Sequence, residues 1–172
     1  MSNLEININS DFEIPYLTFP LLEQLPFLTH AFSLRVSGLA ANRSPEQKIE
    51  KLGQKLGFPA SQIIIPRQVH GREVEEITNA SDWYKIVCDG VFTRRPGLLL
   101  GVQVADCLPV YLVEKSQRII GLVHAGWRGL VAGVITHTIE KMLKGGRGSV
   151  KEMLAILGPG IKRCCFQVQK EV

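Results

Sequence analysis

A chain of 172 residues, 45% apolar and 21% charged, is long enough to bury one core without disulfide staples. Its composition is too ordinary for a disordered or fibrous protein. The formal charge of +4 is spread along the sequence, with no basic run or aromatic-interleaved stripe, so nothing marks a nucleic-acid surface. The apolar stretch from Leu98 to Ala105 is far too short to span a bilayer. The polar start MSNLEININSDFEI lacks a signal-peptide core. Cys88, Cys107, Cys164 and Cys165 show neither CxxC nor a secreted-scaffold spacing. These features are those of a cytoplasmic protein with free thiols and no membrane partner.

The first clear element is a helix beginning at Ser44-Pro45. Ser44 is a good N-cap, Pro45 suits the first helical position, and Gln47 completes a capping box. Ile49, Leu52 and Leu56 fall on one face, and Gly57 ends the helix. Strand-like runs follow at 61–69, 73–77, 98–105, 109–114 and 118–124. The last three are apolar on both faces, as in a buried sheet. A second helix is predicted from about 129 to 144, with Leu130, Val134, Thr138, Ile139 and Met142 in its apolar period and Gly145-Gly146 as its stop. A last buried strand, 153–157, leads into Gly158-Pro159-Gly160. The order is mixed α/β, with a crossover helix between strands 118–124 and 153–157, in a single domain over 1–172. The sequence stops at Val172 soon after a turn, with no closing helix or strand, as if incomplete at its C-terminal end.

Three of these segments carry chemistry. His70, Cys107 and His124 each sit where an apolar run meets a tight turn, in IIIPRQVHG, LLLGVQVADCLP and RIIGLVHAGWRG. Two imidazoles and a thiolate with an open fourth position match a catalytic zinc site, where a bound metal would lower the pKa of a water. The same set suits copper, although four His in all are few for a multi-copper cluster. It also suits a metal-free pair with Cys107 as nucleophile and His124 or His70 as base. Each has a plainer reading: a hydrogen-bonded strand-end His, or a Cys that is a small buried hydrophobe. Gly126, Arg128 and Gly129 fall at a helix start that would attract an anion, with Arg128 as a bidentate ligand. Trp127 can stack on a planar ring or simply pack. Asp106 can orient a neighbouring His or bond its own turn. Asp89-Gly90 is a turn signal whose carboxylate can face the pocket. Arg35 and Arg67 are weaker anion contacts. His30 borders the site or is structural, His137 is mid-helix and non-functional, and Cys164-Cys165 are packing residues.

At these segments the chain resembles the YfiH/YlmD-type family, also called the laccase-domain or polyphenol oxidase family. The stretches that carry the resemblance are HAFSLRVSG (30–38), PRQVHG (66–71), CDGVFT (88–93), ADCLPV (105–110), HAGWRG (124–129) and LGPGIKRCCFQV (157–168). The resemblance implies a layered α/β/β/α fold with mixed sheets and a zinc site made by His70, Cys107 and His124. It implies a cytoplasmic enzyme of purine nucleosides and phosphate: phosphorolysis of adenosine, inosine and methylthioadenosine, and deamination of adenosine. An older reading of the family is copper-dependent polyphenol oxidase, and some members are tied to peptidoglycan editing. Two departures stand out. Ser37-Gly38 replaces the family's Gly-Gly, next to the substrate contact expected of Arg35. Family members also continue well past the equivalent of Val172, which would leave this chain with an open core and a tendency to form homo-oligomers. A cooperative melt from a dilute monomer would contradict that last expectation.

Overall fold

The computed structural model describes residues 7–9, 14–34, 44–80 and 85–167, and the chain divides into two units, Met1–Ile63 and Ile64–Val172. Arg35 and the Ser37-Gly38 step fall outside the described residues. The first unit holds strands β1 (Asn7–Asn9), β2 (Tyr16–Thr18) and β3 (Phe32–Ser33), antiparallel and in that order, with Ile8 opposite Leu17 and Leu17 opposite Phe32. A one-turn helix α1 (Pro20–Glu23) follows β2. Leu17, Phe19 and Leu22 are buried here. His30 is buried with them: its ring stacks on Phe19 and its Nε2 accepts the Phe19 N–H at 2.7 Å. Burial holds the His30 imidazole below its ordinary pKa, with Glu23 opposing. The helix predicted at Ser44 is α2 (Pro45–Lys55), and its capping box forms as expected. Ser44 Oγ accepts from Gln47 N–H, and Gln47 Oε1 accepts from Ser44 N–H. Gly57, at φ +90°, follows its end.

From Ile63 onward the apolar runs shorten. Strand β4 is only Ile63–Ile64 rather than 61–69, because Pro66 has no N–H to continue a ladder. Arg67 makes a single bridge to Val87. Strands β5 (Val74–Glu76) and β6 (Gly90–Thr93) come next. The run predicted as a strand over 98–105 is a strand only at β7 (Leu99–Leu100), which pairs with β4. Beyond it the Gln68 amide takes the place of a neighbouring strand, donating to Gln103 C=O and accepting from Gln103 N–H. Strands β8 (Leu108–Glu114), β9 (Ile119–Ala125) and β10 (Met153–Leu157) match their predicted positions closely. The central sheet has the order β10-β8-β9-β6-β5.

The predicted helix 129–144 is two helices, α3 (Trp127–Val131) and α4 (Val134–Leu143). Gly133, at φ +84°, breaks the run. Leu130 therefore leaves the apolar stripe and is exposed, while Val134, Thr138 and Met142 are fully buried at the i, i+4, i+8 spacing. Two glycines let α4 lie close to the sheet. A Cβ on Gly90 would meet Thr138 Oγ1 at 2.7 Å, and one on Gly121 would meet Met142 Sδ at 2.9 Å. The sheet is buried on both sides. Phe92, Val110, Leu112 and Val123 pack with Val134 and Met142, whereas Val91 and Leu122 pack with Ile64 and Leu100. Each such side chain contributes roughly 1.5–3 kcal/mol. The architecture is mixed α/β, as predicted, with the crossover helix between the two strands that were expected to flank it. Among the described residues no helix is long and apolar enough to cross a membrane.

The β8–β9 hairpin closes on a buried carboxylate. Glu114 accepts from Ser116 Oγ, Gln117 N–H and Ser149 N–H, tying the turn to the loop before β10. Burial alone would raise this carboxyl, but these donors outweigh it and hold it below its ordinary value of 4.5. Its folded pKa is depressed, so its contribution to stability is complete above the unfolded value and is lost as pH falls through the folded one. Urea melts between pH 7 and pH 3 should show the wild type losing more stability on acidification than Glu114→Gln. At neutral pH the variant should be less stable by about 1–3 kcal/mol.

Candidate metal centre

Strand direction brings the chemistry-bearing segments together. β5 and β6 are parallel, and β9 is antiparallel to both β6 and β8. The starts of β5, β6 and β8 therefore lie at the same edge of the sheet as the end of β9. His70 precedes β5, Asp89 precedes β6, Cys107 precedes β8, and His124 is the penultimate residue of β9. Four segments scattered between His70 and His124 thus meet at one edge of the sheet.

One ligand atom from each of His70, Cys107 and His124 lies within 4.8 Å of the others. The two imidazole rings are 4.7 Å apart, edge to face. His124 is buried, Cys107 half-buried and His70 exposed, so the cluster runs from the protein interior out to solvent. Val123 and Ala125 point toward α4, and His124 between them points to the other face.

Asp89 is completely buried beneath the cluster. Its Oδ1 lies 2.8 Å from His124 Nδ1 and accepts the His70 N–H at 2.9 Å, and its Oδ2 accepts the Gly71 N–H at 2.8 Å and the Val69 N–H at 3.2 Å. Burial pushes its pKa up, but His124 and the three backbone donors more than offset this and leave it below the usual carboxylate range. The same donors hold His70 at φ +59°, a left-handed conformation that costs a non-glycine residue about 1 kcal/mol or more. The sequence marked Asp89-Gly90 as a turn. The structure starts a strand there, and the carboxylate faces the cluster.

Burial raises the Cys107 thiol, and the negative charges of Asp106 and Asp89 add to the effect. This surrounding disfavours the bare thiolate, whereas a bound cation would favour it. Gly126 closes the other side. A Cβ there would sit 2.9 Å from His70 Cδ2, 3.3 Å from Cys107 Sγ and 3.5 Å from His124 Cε1. Two imidazoles, one thiol, a carboxylate behind one imidazole and no side chain at position 126 together fit a transition-metal ion with one position open to solvent.

The remaining predicted residues fall in several places. Asp106 is exposed beside Cys107. Arg128 is exposed and stacks on Trp127, with its guanidinium carbon 4.5 Å from the ring centre. Gly129 is a packing glycine, since a Cβ would strike Gly71 C=O at 2.7 Å. His30 is engaged with Phe19 in the first unit. His137, on α4, accepts from Arg72 Nη2 at 2.8 Å. Cys164 and Cys165, expected to pack, are both exposed on a turn with their sulfurs 3.3 Å apart. Arg67 is exposed. Arg35 lies outside the described residues.

Residues 36–172 match the family described as "Multi-copper polyphenol oxidoreductase laccase". Among curated proteins, the chain is 32% identical over 130 residues to "Purine nucleoside phosphorylase YlmD" of Geobacillus stearothermophilus, covering 71% of this chain and 47% of that one. It is 34% identical over 129 residues to "Adenosine deaminase RL5" from an unknown prokaryotic organism, covering 70% and 49%. The chain thus spans about half the length of these relatives. Its fold is that of the crystal structure of the Bacillus licheniformis hypothetical protein YfiH, with a TM-score of 0.80 at 22% identity over 95% of this chain and 68% of that one.

Gly126 has φ −70° and ψ 158°, open to any residue, so Gly126→Ala should fold normally. The methyl group should spread the three donors. Titration with cobalt(II), a coloured probe for such sites, should show affinity falling by about tenfold or more while the metal-free melt is unchanged.

Proposed function

Because the chain belongs to the multi-copper polyphenol oxidoreductase laccase family, we propose that it is a zinc-dependent enzyme of purine nucleosides, cleaving adenosine, inosine and methylthioadenosine with phosphate and deaminating adenosine. The observation that carries this reading is the cluster of His70, Cys107 and His124 with one open side. Its mixed nitrogen and sulfur donors suit zinc. The names of the relatives support the substrate class: one is a purine nucleoside phosphorylase and the other an adenosine deaminase.

In this reading His70, Cys107 and His124 hold the ion, which supplies Lewis acidity when bound. Phosphorolysis breaks the C1′–N9 bond and forms a bond from C1′ to a phosphate oxygen, so it needs a cation for phosphate and a flat surface for the base. Arg128 offers the guanidinium, and Trp127, next to it in sequence, offers the ring. Asp106 adds an exposed carboxylate beside Cys107 that can accept from a ribose hydroxyl or an exocyclic amine. Copper-dependent phenol oxidation is the second reading, favoured by the family's description. Against it, His30 and His137 are engaged elsewhere, leaving two imidazoles at the cluster.

Elemental analysis of untagged protein should find about one zinc per chain, lost in Cys107→Ala. Base release from inosine should require phosphate and vanish in the same variant. Copper in the wild type together with oxygen uptake on phenols would replace this reading with the oxidase. Metal-independent turnover blocked by alkylation of Cys107 would replace it with a cysteine hydrolase.

A further inference from the structure

Asp89 contributes no ligand atom to the cluster, yet it bonds to two of its members. Its Oδ1 is shared between the ring of His124 and the backbone of His70, and its Oδ2 takes the N–H groups on either side of His70. Both oxygens therefore act as acceptors. An acceptor facing His124 Nδ1 requires that nitrogen to carry a proton, so in the neutral ring the lone pair lies on Nε2. The main chain reinforces the link, because His124 N–H donates to Asp89 C=O at 2.7 Å. The three backbone bonds to the carboxylate also hold the left-handed turn at His70, φ +59°, whose side chain is exposed. Loss of the carboxylate would release the tautomer of one imidazole and the direction of the other.

We propose that Asp89 is the positioning residue of the metal centre: one buried carboxylate fixes the His124 tautomer and holds the His70 turn, so that both imidazoles present a nitrogen to the same point. This rests on the metal-centre reading above. Asparagine at this position has one acceptor oxygen for four donors, and its amide N–H₂ would face either the backbone donors or the His124 ring.

Two measurements test it. Long-range proton–nitrogen correlation spectra of the metal-free wild type, at a pH where the His124 ring is neutral, should show its single ring proton on Nδ1 rather than Nε2. The opposite tautomer would overturn the proposal, and this holds even if no variant folds. Zinc competition titrations should then show Asp89→Asn binding roughly 10–100-fold more weakly than the wild type, with the cobalt(II) absorption bands shifted and a cooperative metal-free melt retained. Equal affinity and an unshifted spectrum would overturn the role of Asp89 while leaving the metal centre intact. A wild type that binds no zinc would overturn the metal-centre reading, and this proposal with it.

Discussion

The structure depends on the directions of four strands. β5, β6 and β8 begin where β9 ends, so residues just before three strands and one residue at the end of a fourth converge on a single edge. Sheet hydrogen bonds fix these positions. The register pairs Pro109 with His124 and Gly90 with Val123, which sets Cys107 and Asp89 on either side of His124. A slip of one residue in β9 would turn His124 toward α4 and place Val123 or Ala125 among the polar groups. The apolar side chains on both faces make that slip expensive, since each buried residue would have to leave its cluster. The core thereby specifies the site.

Burial of Asp89 follows from the same convergence. An isolated carboxylate at such depth would be strongly unfavourable. Four donors satisfy it, three from the turn around His70 and one from His124. The turn is strained on its own and the carboxylate is costly on its own, and each offsets the other. Gly126 completes the arrangement because any side chain there would enter the space between the donors. The cluster is thus shaped from below by a charge and from the side by the absence of a Cβ.

Much of this was legible in the sequence, for identifiable reasons. β8, β9 and β10 are long apolar runs, and the capping residues of α2 are local signals, so these elements appear nearly where pattern placed them. The three clustered residues were legible because His70, Cys107 and His124 each interrupt an apolar run at a turn. The breaks were less visible. Gly133 splits the second helix although the apolar spacing runs through it, since periodicity carries no information about a positive φ. The run 98–105 leaves the sheet because the Gln68 amide bonds Gln103, a contact between residues 35 positions apart. Asp89-Gly90 looked like a turn because that dipeptide usually is one. Gly90 is needed instead for the close approach of Thr138, and Asp89 is needed for its four donors, and both reasons are tertiary.

The most direct test of the central claim is X-ray absorption at the zinc edge, on protein carrying Cys164→Ser and Cys165→Ser so that the exposed thiols cannot bind the ion. The account predicts one sulfur at about 2.3 Å and nitrogen at about 2.0–2.1 Å, with the sulfur signal lost when Cys107 is also replaced. A first shell without sulfur, or a sulfur signal that survives replacement of Cys107, would contradict it.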